Sequence, residues 1–299
     1  MARPIYVERL INAPMEALWN ATQTPDVHER WDLRFTEIRY LPRSAPSEPQ
    51  RFLYATRIGF GLRIAGEGES VGQSERSGDR TSALRFWSDD SKSLIRKGSG
   101  YWRYAPTDKG VRFITQYDYE TRFGAAGRAL DLAFRPLLGW ATAWSFDRLR
   151  LWLERGADPS ATLDRSVVHW TARATLAFIW LYHGIVPKLF APAGEIDLAV
   201  RTGVPISLAP ILVLAAAIVE VTLGLGIVAL RDARLLLVVS SVLAVGLAVV
   251  TGALVPQLIA APFQPITLGV AMVALAAVAR LADRDLPRAR SCLREPPSK

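Results

Sequence analysis

The sequence predicts an α+β domain, in which an antiparallel sheet wraps on a long C-terminal helix, followed by an all-α bundle of four transmembrane helices. Up to about Leu163, the chain of 299 residues is charged and rich in turn residues. Beyond that point it is strongly apolar, and no Asp, Glu, Lys or Arg occurs between Arg234 and Arg280. Because a helix of about 20 apolar residues crosses the roughly 30 Å of hydrocarbon in a bilayer, this run is long enough for two crossings.

The first half of the chain has the period of two that is typical of strands. Between Arg112 and Phe123, aromatic residues and threonines at the odd-numbered positions alternate with mostly charged or polar residues, which predicts a strand with one face toward solvent. Shorter strands are predicted at Ile5–Leu10, Phe35–Leu41, Phe52–Ile58, Ala83–Ser88 and Gly100–Tyr104. Turn residues are clustered between them at Gly66–Gly72, Ser77–Asp79 and Pro106–Gly110. Tight turns between neighbouring strands favour an antiparallel sheet.

Helices are predicted on either side of these strands in the sequence. Two short ones, Pro14–Ala21 and Asp26–Trp31, follow the first strand, and a long one runs from about Ala125 to Arg155. Apolar residues recur along the long helix at helical spacing and indicate one wide apolar face: Leu130, Phe134, Leu137, Leu138, Ala141, Trp144, Leu149 and Trp152. Such a helix, laid across a curved sheet, leaves an elongated apolar space between them.

This order of elements, with Ile11-Asn-Ala-Pro-Met-Glu-Ala-Leu-Trp19 near its start, resembles the START-like superfamily, also called SRPBCC, which includes polyketide cyclases. The resemblance covers about Ala2 to Gly156. It implies the helix-grip fold and a hydrophobic ligand in a cavity under the long helix. It implies no particular chemistry, because members of the superfamily bind, carry or catalyse.

Candidate ligand-binding residues of that cavity are Trp102, Tyr117, Tyr119, Phe134 and Leu138. Aromatic walls with phenol hydroxyl groups can orient an apolar ligand, and ordinary core packing is the alternative for each residue. No catalytic residue is predicted, because the sequence has no Ser-His-Asp, metal-cluster or phosphate-loop pattern. His28, beside Glu29, and His169, at the membrane boundary, are interpreted as surface or interface residues.

Four spans are predicted in the second half, at 167–190, 207–230, 235–258 and 265–281. Cations are concentrated on one side of these spans, at Arg148, Arg150, Arg155, Arg165, Arg231, Arg234 and the arginine-rich tail. The first loop on the other side has Lys188 and Arg201 set against Glu195 and Asp197. The positive-inside rule then places both termini in the cytoplasm. The N-terminal stretch has no apolar h-region and predicts no cleavable signal peptide.

Three polar residues fall at membrane depth: His183, Lys188 and Glu220. An ionised residue in the middle of a span costs about 2.5–3.5 kcal/mol on insertion scales, so it normally faces the bundle interior and has a partner. Glu220 and His183 fall at similar depth. We therefore expect them to pair, either as a structural clasp or as part of a proton- or quinone-linked site.

The run from Arg173 to Lys188, which ends in Trp-x-x-His-Gly-x-x-Pro-Lys, resembles the DoxX-like family of small four-helix membrane proteins. The resemblance continues through the span with Glu220 and Gly224, and covers roughly 167–281. Relatives in that family are associated with thiosulfate:quinone oxidoreduction and other redox systems. The spans of this chain contain no cysteine, which argues against a thiol-based redox role.

The predicted domains are a START-like domain (1–158), a linker (159–166), a DoxX-like transmembrane domain (167–282) and a basic, disordered tail (283–299). The arginines of the tail suit anionic lipid head groups, with plain solvation as the alternative. The single cysteine, Cys292, excludes an intrachain disulfide and a cysteine-rich metal site. It is expected to be an exposed thiol, with palmitoylation as the alternative.

Three functions are compatible with this organisation. The preferred one is a membrane-tethered binding protein whose cytoplasmic cavity holds a lipid, a quinone or a polyketide-like molecule. The others are an oxidoreductase-associated or cyclase-like enzyme, and a bundle that serves as anchor and assembly surface. Expected partners are the bilayer of the cell membrane, a hydrophobic small molecule, and a second copy or a redox partner. Nucleic acid is not expected, because many cations flank apolar segments. No cofactor is indicated, and quinone stays open as one.

Overall fold

The computed structural model describes residues 3–45, 47–58, 61–260 and 265–297. The chain divides into two compact units. Unit 1 comprises Met1–Leu163 together with Asp285–Lys299, and unit 2 comprises Asp164–Arg284. The chain therefore forms most of unit 1, then unit 2, and finally returns to unit 1.

The described part of unit 1 contains a seven-stranded sheet in the order β1-β7-β6-β5-β4-β3-β2, with antiparallel neighbours throughout. The strands are β1 (Ile5–Ile11), β2 (Glu37–Tyr40), β3 (Arg51–Arg57), β4 (Arg63–Arg76), β5 (Asp79–Trp87), β6 (Ile95–Thr107) and β7 (Gly110–Thr121). On β7, Phe113, Tyr117 and Tyr119 are buried, whereas Asp118 and Glu120 are exposed. The predicted antiparallel sheet is confirmed.

One prediction for the sheet is wrong. The segment Gly66–Gly72, expected to be a turn, lies inside the long strand β4. Its glycines are required by the neighbouring strand, because a Cβ atom on Gly66 would lie 2.4 Å from the ring of Tyr54. A Cβ atom on Gly68 would likewise lie 2.4 Å from the ring of Phe52. Glycine in this strand indicates close cross-strand packing of aromatic rings.

Three helices complete the main body of unit 1: α1 (Met15–Gln23), α2 (Pro25–Trp31) and α3 (Gly124–Arg155). The pair α1–α2 connects β1 to β2, and α3 packs against β1 and β7. The helix α3 ends at Gly156, whose φ of 66° is a left-handed conformation that glycine adopts without a Cβ clash. Trp31, Phe113, Phe146 and Leu149 are fully buried in one core cluster. This is the predicted sheet wrapped on a long C-terminal helix.

The wide apolar face predicted for α3 is divided between two sides of the helix. Trp144 and Leu149 belong to the core, and Phe134 and Leu138 pack against it. Leu130 and Leu137 are exposed instead. Helical spacing alone identifies apolar positions, but it does not say which of two apolar sides faces the sheet.

Unit 2 is helical. Its elements are α4 (Pro159–Ile185, which begins in unit 1), a π-helical turn (Val186–Phe190), α5 (Ala193–Arg201), α6 (Ala209–Ala229), α7 (Arg234–Leu254), a 3-10 turn (Pro256–Ala260) and α8 (Pro265–Leu281). Within the described residues, α6 and α7 are each long and apolar enough to cross a membrane. The stretch Pro159–Phe190 and α5 pass the same criterion when taken together, and a bend of 96° separates them. The helix α8 is apolar but shorter. The predicted linker 159–166 is the first part of α4.

Polar contacts show how the helices of unit 2 are arranged. Near the start of α4, His169 Nδ1 lies 2.8 Å from the Ala279 carbonyl oxygen of α8. Arg173, also on α4, donates to the Leu230 carbonyl oxygen that follows α6, at 2.8 Å. Arg234 at the start of α7 donates to Asp283 just after α8, at 3.0 Å. The part of α4 around His169 and Arg173, the end of α6, the start of α7 and the end of α8 therefore lie close together.

The C-terminal segment differs from the disordered tail that was predicted. Leu293 forms a two-way backbone bridge with Glu8 of β1, with both N–H···O distances at 3.0 Å. Cys292 is buried in the core cluster of unit 1, and its thiol donates to the Ala143 carbonyl oxygen at 3.2 Å. The free, exposed thiol expected from the sequence is therefore a core residue. Ala289 and Cys292 supply the apolar contacts that hold the segment.

This packing predicts low reactivity for the native thiol. Burial raises the pKa of Cys292 to about 12, so almost no reactive thiolate is present at pH 8. We expect the folded chain to react with maleimide far more slowly than the variant C292A/L293C, which moves the thiol by one residue to an exposed position. The added mass after a fixed reaction time measures the difference. Equal rates in the two folded proteins would show that the segment is not packed as described.

Candidate functional site

The interior of unit 1 holds the predicted cavity residues in one cluster. Trp102, Tyr117 and Tyr119 are buried members of the core, and Phe134 and Leu138 pack against it. The structure thus brings together Phe134 and Leu138, which lie on α3, with Trp102, Tyr117 and Tyr119 of the strands β6 and β7. It also places hydroxyl and carboxyl groups among them: Tyr117 Oη lies 2.8 Å from Thr142 Oγ1, and Tyr119 Oη donates to Asp131 Oδ1 at 2.5 Å.

A second group of polar residues, which sequence reasoning did not identify as a site, lies in the same interior. The carboxylate of Asp32 is fully buried and accepts two hydrogen bonds from the guanidinium of Arg34, at 2.9 and 2.6 Å. His28 Nε2 lies 2.9 Å from Asp32 Oδ2. Burial alone would raise the pKa of Asp32, but Arg34 and His28 outweigh it and hold that pKa well below its usual range. Asp32 is therefore a buried anion that contacts two nitrogen-bearing side chains, those of Arg34 and His28.

Local structure accounts for this placement. The helix α2 ends at Trp31, and the Asp32 N–H bonds back to the His28 carbonyl oxygen as the C-terminal cap. His28 and Asp32 are four residues apart and share a side of the chain, as residues one helical turn apart do. The Asp32 carboxylate then accepts the backbone N–H of Arg34 at 3.1 Å, which turns the chain and returns the Arg34 side chain to it.

Aromatic rings connect this group to the predicted cavity residues. The ring of His28 lies 4.9 Å from Trp31 and 5.0 Å from Trp102, measured between centroids. The Arg34 guanidinium carbon lies 5.7 Å from the centroid of Tyr117. We call His28, Asp32, Arg34 and Tyr117 the interior polar cluster. His28 was interpreted from the sequence as a surface residue, and that interpretation is wrong. The signal that could have identified the cluster is a His and an Asp four residues apart, with Arg two residues later.

An open groove of about 300 Å³ lies elsewhere on unit 1, along β2, β3 and β4. Its lining is largely charged, with Glu37, Arg39, Arg63, Glu67, Asp89 and Asp90. Arg63 donates to Glu37 across it at 3.0 Å. Because ligand pockets for apolar molecules are mainly apolar, this groove does not suit the predicted hydrophobic ligand.

The polar residues predicted at membrane depth in unit 2 are arranged differently from the expectation. Glu220 on α6 pairs with Lys188, whose Nζ lies 3.0 Å from Glu220 Oε2, and not with His183. Lys188 also lies 3.4 Å from Glu195 and 3.4 Å from the backbone carbonyl oxygen of His183. The His183 ring packs beside Tyr182. The π-helical turn after α4 brings Lys188 to α6, which spacing along an ideal helix would not reveal.

Glycine makes this approach of α4 and α6 close. A Cβ atom on Gly184 would lie 3.0 Å from the Ala217 carbonyl oxygen and 2.8 Å from Val221. A Cβ atom on Gly224 would lie 3.0 Å from the Ala177 carbonyl oxygen. Small residues at the contact of two helices let their backbones approach, which is common in membrane bundles. The His-Gly pair of the sequence motif therefore has a packing role through its glycine.

Arg173 was missed as a structural residue of the bundle. Its buried guanidinium donates to the carbonyl oxygens of Ile227 and Leu230, which end α6 without helical partners. A cation at the C-terminal end of a helix meets both unsatisfied carbonyl groups and the negative end of the helix dipole. Arg173 is thus a cap contributed by a neighbouring helix.

The chain is 45% identical over 210 residues to the uncharacterized membrane protein YndG of Bacillus subtilis (strain 168), which is 68% of this chain and 78% of that protein. The chain belongs to the family of this membrane protein. The aligned length exceeds that of unit 2, so it extends into unit 1. Residues 177–277 match the DoxX-like family, which confirms the resemblance predicted for the C-terminal half.

The N-terminal half is similar to several solved structures. One is TTHA0849 from Thermus thermophilus, with 15% identity, a TM-score of 0.41, and coverage of 52% of this chain and 99% of that one. Another is the Zhui aromatase/cyclase from Streptomyces sp. R1128, with 14% identity, a TM-score of 0.38, and coverage of 46% and 87%. A third is Ara h 8.0201, with 10% identity, a TM-score of 0.33, and coverage of 48% and 97%.

The interior polar cluster predicts a large loss of thermal stability when the charge of Asp32 is removed. Removing one partner of a buried ion pair typically costs about 3–5 kcal/mol, because the other charge is left uncompensated. We expect Asp32→Asn to lower the thermal midpoint of the purified chain by several degrees. The matched control is Asp89→Asn, at an exposed aspartate of the same unit. Equal midpoints for the two variants would contradict the buried pair.

The Lys188 contacts predict that loss of Lys188 and loss of Glu220 lower the thermal stability by different amounts. In Lys188→Met, the buried Glu220 loses the cation, whereas in Glu220→Gln, Lys188 keeps Glu195. The loss of thermal stability in lipid nanodiscs should therefore be larger for Lys188→Met, by up to about 3–5 kcal/mol if Glu220 stays ionised. A control is Glu195→Gln, which leaves the Glu220 pair intact. If Glu220→Gln proved the more damaging change, the assigned pairing would be incorrect.

Proposed function

We propose that this membrane protein binds a hydrophobic small molecule, such as a lipid, a quinone or a polyketide-like compound, in the interior of unit 1. Its unit 2 anchors that binding domain in the cell membrane, and both termini lie on the cytoplasmic side. The observation that carries the proposal is the interior polar cluster, set among aromatic rings between the sheet and α3.

The energetics favour a functional origin for this cluster. Burying an ion pair rarely adds net stability, because the loss of hydration offsets the attraction between the charges. Apolar residues in place of these charged groups would stabilise the folded state at least as much. Titratable groups held in a buried and perturbed state are concentrated at functional sites. The cluster therefore supports recognition of a polar group on an otherwise apolar ligand.

The chemistry of the walls defines the class of ligand. Trp102 and Phe134 present flat apolar surfaces, which suit rings or acyl chains. Arg34 and the Tyr117 hydroxyl can donate hydrogen bonds, which suit a carbonyl, phenol or carboxylate oxygen. An amphiphile with one oxygen-bearing end satisfies both requirements. This reasoning concerns binding, and it assigns no reaction to the cluster.

Identification of a copurified ligand tests the proposal. The full chain is purified in polymer-bounded native membrane discs, and the extracted small molecules are compared by mass spectrometry among three proteins. We expect the wild type to carry a hydrophobic molecule enriched over the surrounding lipid, and Leu138→Trp, which fills the interior under α3, to lose it. The control Val71→Trp adds the same ring at an exposed position of β4 and should retain it.

Two results would contradict the proposal. One is the absence of any enriched molecule from the wild type, and the other is equal enrichment in Leu138→Trp. A near-ultraviolet circular dichroism spectrum of each variant separates loss of ligand from loss of fold.

A further inference from the structure

The exposed side of the first half of α3 is apolar, although this helix belongs to unit 1 and not to the apolar half of the chain. At about 100° per residue, the exposed residues between 125 and 140, apart from Arg128, occupy an arc of about 160°. The arc contains Leu130, Leu132, Pro136, Leu137, Trp140 and four alanines. None of these residues is charged or polar. We call this arc the outer face of α3.

The exposure of this face is high. Leu132 is 80% exposed, Leu130 and Leu137 are each 59% exposed, and Trp140 is 44% exposed. The opposite side of the same turns holds Asp131 and Arg135, whose side chains pair at 2.9 Å against the sheet. Polarity along these turns is therefore inverted relative to a surface helix in water, whose charged side faces solvent. Contiguous exposed apolar surface of this kind marks an interaction site.

We propose that the outer face of α3 docks into the interfacial region of the lipid bilayer. A helix with an apolar side free of charge inserts that side to a depth of about 5–10 Å, at the boundary between head groups and acyl chains. Trp140 lies on this face, and tryptophan is enriched at that depth. Arg128 is exposed at the border of the face and suits a phosphate or an anionic head group.

The bilayer is favoured over other occupants by the connectivity of the chain. This is a membrane protein, and only Gly156–Asp158 separates α3 from α4, which leads to the apolar helices. Three such residues extend by at most about 11 Å. The encounter of α3 with lipid is therefore intramolecular, and a tether this short gives a high effective concentration without any further contact.

Site-directed spin labelling of the full chain in lipid nanodiscs tests this docking. A nitroxide is attached at Leu137→Cys or, as a control, at Asp108→Cys, in the exposed turn between β6 and β7, both in a Cys292→Ala background. Collisions with oxygen report lipid, and collisions with a water-soluble nickel chelate report water. We expect oxygen to dominate at position 137 and nickel to dominate at position 108.

The alternatives give different signals. Dominant nickel collisions at position 137 would mean a face in water, and would overturn the proposal. Low collision rates with both reagents would mean a face covered by protein, whether by unit 2 or by a second copy, and would overturn it as well. Leu132→Cys is a second labelling position, at which high exposure leaves room for the label if Leu137→Cys does not fold. The result does not depend on whether unit 1 holds a ligand.

Discussion

The closure of unit 1 depends on the contacts of one buried carboxylate, that of Asp147. It lies 2.7 Å from Arg150 Nε of its own helix and 3.2 Å from Arg9 Nε of β1. It also accepts the backbone N–H of Arg288 at 2.8 Å. One charge thus joins the first strand, the long helix and the returning C-terminal segment. Because the segment lies almost 140 residues later in the chain, Asp147 closes unit 1 only after unit 2 has been made.

This closure constrains the topology of unit 2. Residues that precede and follow unit 2 belong to one folded body, which favours the predicted location of both termini on one side of the membrane. The contacts of α4, α6, α7 and α8 at one end of unit 2 independently support an alternating arrangement of these four helices. The four spans predicted from hydropathy stay a prediction, because within the described residues two helices are long and apolar enough to cross a membrane, or three if α4 and α5 form one bent span.

The sequence was sufficient to predict the elements whose pattern of apolar and charged residues depends only on neighbouring positions in the chain. Alternation on β7 and the uncharged run that contains most of α7 and α8 are local signals, and these elements lie close to where they were expected. The strand β4 was missed, because its glycines reflect the rings of Phe52 and Tyr54 on a neighbouring strand. The burial of Cys292 was predicted wrongly and the capping role of Arg173 was not predicted, both for a similar reason. Their roles depend on partners distant in the chain, and composition near a residue does not encode such partners.

Two features of unit 1 depart from the usual polarity of a folded domain. Charged groups lie inside, in the interior polar cluster and at Asp131 and Arg135, while leucines and a tryptophan lie outside on α3. In a domain surrounded only by water, both features would lower the free energy of unfolding. Buried charges lose their hydration, and exposed apolar surface stays in contact with water. Next to a bilayer, exposed apolar residues on α3 become favourable, because lipid replaces water at the outer face. The proposed docking of the outer face on lipid and the proposed binding of a ligand at the interior polar cluster would each account for one of these two features.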